Sequence, residues 1–154
     1  MRLAYFIFFF LLISCNNEPE WKYLFNGENL DGWEIKIREH KIGENFKNTF
    51  KVDDAAIKVS YEEYDEFDKK FGHIFYVKEK FKNYHLSLDY KFSGSHLKGA
   101  PGWSVKNSGI MLHCQDPHTM LVDQEFPVSS EAQLLGGLGE GERSTANMCS
   151  PGTD

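Results

Sequence analysis

Between Asn107 and Gly137 the chain gathers Asn107, His113, Cys114, Asp116, His118, Asp123, Glu125 and Glu131 among Ile110, Leu112, Leu121, Val122 and Leu134. Carboxylates and imidazoles can take or deliver a proton near neutral pH, and amides can bond hydroxyl groups. Set into an apolar, strand-like pattern, such side chains describe a sheet face lined by a polar cleft. Glu131 and Gln133 are two apart in SEAQLL, so a strand there projects both from one face. Asn107 and Ser108 stand before Gly109 at the entry to NSGIMLH, where an amide can reach a ligand or hold the adjacent turn.

Other chemistries have less support. His113, Cys114 and His118 lie close together, with Cys149 available, but their spacing matches no standard zinc pattern. No loop with the oxygen-ligand pattern of a calcium site occurs either. The Gly136 to Gly141 loop lacks the glycine spacing of a dinucleotide or phosphate-binding fingerprint. No cofactor is expected, and a divalent metal stays open. Cys114 and Cys149 could pair in an oxidising compartment or remain free.

The elements that must hold these residues read as strands. A chain of 154 residues with 41% hydrophobic and 15% aromatic content suffices for one packed domain. Its net charge of -6, with acidic residues scattered among lysines, gives nucleic acid no electrostatic support. Trp21 to Trp33 reads as strand, turn, strand around Asn26-Gly27 and Asp31-Gly32, and Ile35 and Ile37 continue the alternation. Arg38 to Asn48 is a polar loop. Phe50 to Tyr61 forms a hairpin across Asp53-Asp54-Ala55. Tyr61 to Lys70 is a solvated loop with aromatic anchors, and His73 to Val77 returns to strand.

The clearest period of two runs from Tyr84 to Phe92, with Tyr84, Leu86, Leu88, Tyr90 and Phe92 on one side, and predicts a half-buried strand inside a sheet. Ser93 to Lys106 is a loop centred on Trp103, Asn107 to His113 a strand, Gln115 to Thr119 a turn around Asp116-Pro117, and Ser130 to Leu135 a strand. Many short strands with Gly, Asn and Asp turns predict an all-β sandwich. SPGTD ends the sequence at a turn with no closing strand, so the sandwich is expected to lack its C-terminal strands.

The N-terminus resembles a bacterial lipoprotein signal: Met1-Arg2, an apolar run from Leu3 to Ile13, then Leu12-Ile13-Ser14-Cys15 as a lipobox. The run is too short for a stable spanning helix. The resemblance implies cleavage before Cys15, lipidation of its sulfur, and an exported protein anchored to a bacterial membrane, on the periplasmic side or at the cell surface. The alternative is a secretory signal with an incidental Cys15. The expected organisation is a signal over residues 1–14, a polar tether over 15–20 and one domain over 21–154.

Three motifs together resemble the 3-keto-disaccharide hydrolase domain family: LFNGENLDGW (Leu24 to Trp33), FKNYHLSLDYKF (Phe81 to Phe92), and NSGIMLH with SEAQLLGG. The resemblance spans Trp21 to Asp154 and implies a concanavalin-like jelly-roll sandwich acting on glycosides already oxidised to a ketone at sugar carbon 3. Two departures stand out. Family members often carry arginine where this chain has His113, and their domains continue with further strands.

Such a ketone acidifies the neighbouring C2 hydrogen, so a base can remove it and the C1 leaving group can depart, after which water adds. The resemblance makes Glu131 the first choice for the base, with His113 as acid or base. Asn107, Gln133 and Asp123 would bind substrate, and Trp103 would stack on a sugar face; Asp116 and Glu125 are alternative carboxylates. Each has a plainer use, in pinning a loop, holding a turn or facing solvent. Two rival functions share this sequence: a non-catalytic carbohydrate-binding lipoprotein, and a structural or adhesion lipoprotein of the surface.

Overall fold

The computed structural model of the protein describes residues 20–153. The apolar N-terminal run, Cys15 and most of the tether lie outside the described residues. Within them the fold is all-β, with seven strands in three antiparallel sheets. This agrees with the expected jelly-roll class.

The first sheet pairs β1 (Trp33–Ile37) with β4 (Gly72–Tyr76), in register from Trp33 opposite Tyr76 to Ile37 opposite Gly72. Alternation along WEIKI drives one side into the core: Ile35 and Ile37 are buried with Phe50, and Leu30, Phe46, Ile57 and Ile74 pack around them. The opposite side carries Glu34 and Lys36.

The second sheet is the expected hairpin, β2 (Phe50–Asp53) and β3 (Ala56–Val59). Asp54 and Ala55 both take positive φ, 51° and 52°, as a two-residue turn that follows the strand twist requires. The acidic stretch after it is a turn-rich loop anchored by buried Tyr64 and Phe67, with the Tyr64 hydroxyl 2.6 Å from Thr49 Oγ1.

The third sheet, in the order β5–β6–β7, holds β5 (Asn107–Leu112), β6 (Ser130–Leu135) and β7 (Asn147–Cys149). β6 pairs antiparallel with both neighbours.

Three expectations are corrected. Trp21 to Phe25 is not a strand: the asparagines close a local turn instead, Asn26 Oδ1 accepting from the backbone N–H groups of Glu28 and Asn29, each at 2.9 Å. Trp33 Nε1 then donates to the Leu24 carbonyl at 3.2 Å, folding this segment back on the start of β1. Tyr84 to Phe92 has no ladder partner among the described residues, and Leu86, Leu88 and Tyr90 are 44%, 45% and 48% exposed. Alternation gives a segment two faces but supplies no neighbour to hydrogen-bond with it. Near the end, β7 precedes the Ser150 to Gly152 turn, where no strand was expected.

Candidate functional site

In an antiparallel ladder, residues directly opposite each other project to the same face. Met111, Glu131 and Cys149 form one such row, and Gly109, Gln133 and Asn147 the next. Asn107 lies opposite Leu135. The register thus brings Asn107, Glu131 and Gln133 to one face of the third sheet, while Ile110, Ala132, Leu134 and Met148 project from the other.

Glu131 is half-buried on this face, and burial pushes its carboxyl above the ordinary carboxylate range, with no charged neighbour contributing. Its side chain lies across the backbone of Gly109: a methyl group there would stand 2.6 Å from both Cγ and Cδ of Glu131. Gln133 Oε1 accepts from Asn147 Nδ2 at 3.2 Å, which engages its oxygen and leaves its NH2 as the group to offer a ligand.

At the other end of the same face, Asn107 Nδ2 donates to the Trp103 carbonyl at 3.0 Å. Trp103 sits on the short 3-10 turn Gly102–Ser104, stacked on Phe71 with ring planes 2° apart and centroids 5.9 Å apart, and remains 55% exposed. Arg143, which sequence reasoning passed over, holds this loop. Its Nη1 donates to the carbonyls of Val105 at 2.6 Å and Gly136 at 3.0 Å, and its Nη2 to Trp103 at 3.4 Å. An arginine inside the glycine-rich GLGEGER was the available signal, since a guanidinium with five donors can satisfy several loop carbonyls at once.

The remaining candidates are elsewhere. His113 follows β5 in the left-handed region, at φ 49°, with its ring centroid 6.0 Å from that of Tyr84. It lines a cleft of about 480 Å³ with Lys82, Asn83, Tyr84, His85 and Leu112, and Glu131 is not among the lining residues. Asp123 and Glu125 line a different cleft of about 570 Å³ with Gln115, Thr119, Gln124 and Phe126. Asp116 caps the turn Pro117–Thr119 by accepting from the His118 N–H, and that bond, with the His118 ring and Lys80, holds its carboxyl below the usual range.

A second polar cluster was hidden from the sequence. On the outer side of the first sheet Lys36 is only 3% exposed, and its Nζ donates to the carbonyls of Ile37 and Val122, each at 3.0 Å. Burial lowers the basicity of this amine, with Asp123 partly opposing. Opposite Lys36, burial also lowers His73, whose Nε2 lies 2.8 Å from the Glu125 carbonyl oxygen. These contacts strap the segment bearing Asp123 and Glu125 onto β1 and β4. The alternation of Glu34, Lys36 and Arg38 with Trp33, Ile35 and Ile37 was the only hint, and it reads equally as a solvated face.

Cys114 and Cys149 are both free and half-buried, and burial raises the Cys114 thiol. Cys149 lies opposite Glu131, whereas Cys114 lies beyond the Leu112–Ser130 pair at the far end of β5. With β6 between them, two strand widths alone are about 9–10 Å, beyond the reach of a disulfide. Among the described residues no group of three or more His, Cys, Asp or Glu is arranged to hold a metal ion. No helix among them is long and apolar enough to cross a membrane.

Residues 20–153 match the family model described as 3-keto-alpha-glucoside-1,2-lyase-like domain. No curated protein and no solved structure matches the chain.

Proposed function

The chain belongs to the family of 3-keto-alpha-glucoside-1,2-lyase-like domains, and from that premise we propose that it cleaves 3-keto-glycosides with Glu131 as the general base. The observation that carries this reading is the half-buried Glu131 carboxyl, made more basic by burial and set on one sheet face with Gln133 and Asn107. A base whose pKa is drawn toward neutrality removes a carbon-bound proton more effectively at neutral pH.

The chemistry needs one proton moved and one bond broken. The Glu131 carboxylate takes the C2 proton, which the C3 ketone acidifies. The C2–H electron pair becomes the C1=C2 double bond as the C1–O bond breaks, and the departing oxygen leaves with the C1–O bonding pair. In this reading Glu131, rather than His113, returns its acquired proton to this oxygen. The products are a free alcohol or sugar and a 1,2-unsaturated 3-keto sugar. Water adding at C1 completes the hydrolytic outcome. The Gln133 NH2 is assigned to the ketone oxygen, where negative charge develops, and Trp103 to stacking on the ring.

A C2-deuterated 3-keto-glycoside tests the step directly. Turnover should slow severalfold relative to the C2-protiated substrate, and Glu131→Gln should lower it by about 10²–10⁴-fold. An unchanged rate for both would remove Glu131 and the elimination.

One observation favours the non-catalytic alternative: exposed Trp103, laid flat on Phe71, is a ready platform for an unoxidised sugar. Binding of the unoxidised parent without turnover of either sugar would establish that role. The lipobox-like sequence ending at Cys15 supports an exported, membrane-anchored setting for either function. Globomycin-sensitive processing, or its absence, checks that assignment.

A further inference from the structure

We propose that Gly109 is a positioning residue for Glu131: the space that a side chain at this position would fill is the seat of the Glu131 carboxyl against β5. The inference rests on the reading of Glu131 as the base. Gly109 pairs with Gln133, so Glu131, one row along on the same face, is its diagonal neighbour and within reach of a long side chain. A methyl group on Gly109 would lie 2.6 Å from both Cγ and Cδ of Glu131, closer than real side chains approach.

Nothing in the backbone asks for glycine here. Gly109 lies in the middle of β5 outside the left-handed region, unlike Gly27 at φ 79° or Gly32 at φ 87°. A glycine inside a strand weakens it and marks a close approach from elsewhere, and the approaching group is this carboxyl. Lying across Gly109, the carboxyl exchanges water for peptide, in keeping with its partial burial. Among its ladder neighbours in the described residues, the titratable one is Cys149, directly opposite on β7; Gln133 and Met111 carry no charge.

The test titrates the Glu131 side-chain carboxyl by ¹³C NMR in the full chain and in Gly109→Ala. Displaced into water, the carboxyl of the folded variant should titrate lower, in the ordinary range, and kcat should fall at least tenfold with little change in KM. An unchanged titration in a folded Gly109→Ala would overturn the proposal. Should Gly109→Ala not fold, the second arm compares Glu131→Ser with the double variant. With the carboxyl shortened away, adding Gly109→Ala should leave the melting temperature equal or higher. A double variant that likewise fails to fold, or melts well below Glu131→Ser, would show that glycine is needed for another reason, and the proposal falls. The titration and the melting temperature need no keto-sugar turnover, so failure of the proposed activity and failure of this inference are separately visible.

Discussion

Asn107 donates its side-chain N–H to the backbone carbonyl of Trp103 at 3.0 Å, tying the first residue of β5 to the loop that presents the exposed indole. The amide expected to read a substrate hydroxyl is therefore also a brace for the aromatic platform. Asn107→Ala and Asn107→Asp both lack that donor and should each cost about 1 kcal/mol of stability. Their effect on catalysis should be mainly a higher KM, through a displaced Trp103. Equal loss of kcat in both, with KM unchanged, would point to direct contact with the reacting atoms.

Lys36 holds the carbonyls of Ile37 and Val122 from a buried position. Lys36→Ala should leave both acceptors without that donor and destabilise the fold by about 2–3 kcal/mol in urea unfolding. Hydrogen exchange should quicken over residues 120–125, the segment it straps down. A surface lysine would give changes below about 0.5 kcal/mol.

His73 is half-buried, and desolvation lowers its folded-state pKa. The unfolded chain then binds the proton more readily, so the contribution of His73 to stability is present above the ordinary imidazole range and is lost as pH falls through the lowered folded value. Melting temperature should drop on acidification below about pH 6.5, with a shallower slope in His73→Gln. An identical slope in the variant would assign the acid sensitivity to other groups.

Much of this architecture was legible because it is local. Ser130 to Leu135 announces itself by alternation, and Asp54-Ala55 by turn chemistry between two β-branched runs. What escaped depends on partners far away in the chain. Three residues, Asn147 to Cys149, carry no pattern of their own and become a strand only because β6 offers an edge. Tyr84 to Phe92 has the pattern and lacks the edge. For the site, residue spacing placed Glu131 and Gln133 on one face, but it could not show that the Glu131 side chain lies across Gly109 or that His113 lines a cleft with Tyr84 and His85. Nor could composition distinguish Lys36, buried and doubly bonded, from the chain's many exposed lysines.

Cys114 and Cys149 should stay unlinked under mild oxidation, since the register separates them across β6. Peptide mapping without reduction should find both as free thiols, with Cys114 alkylating slowly at neutral pH because burial raises its thiol. A Cys114–Cys149 crosslinked peptide would require a rearranged third sheet.

Product release from a 3-keto-disaccharide, measured beside its unoxidised parent with the wild-type chain and Glu131→Gln, tests the central claim most directly. Cleavage of the keto-sugar alone, lost in Glu131→Gln, is the predicted result. Cleavage of both sugars, or undiminished cleavage by Glu131→Gln, would contradict it.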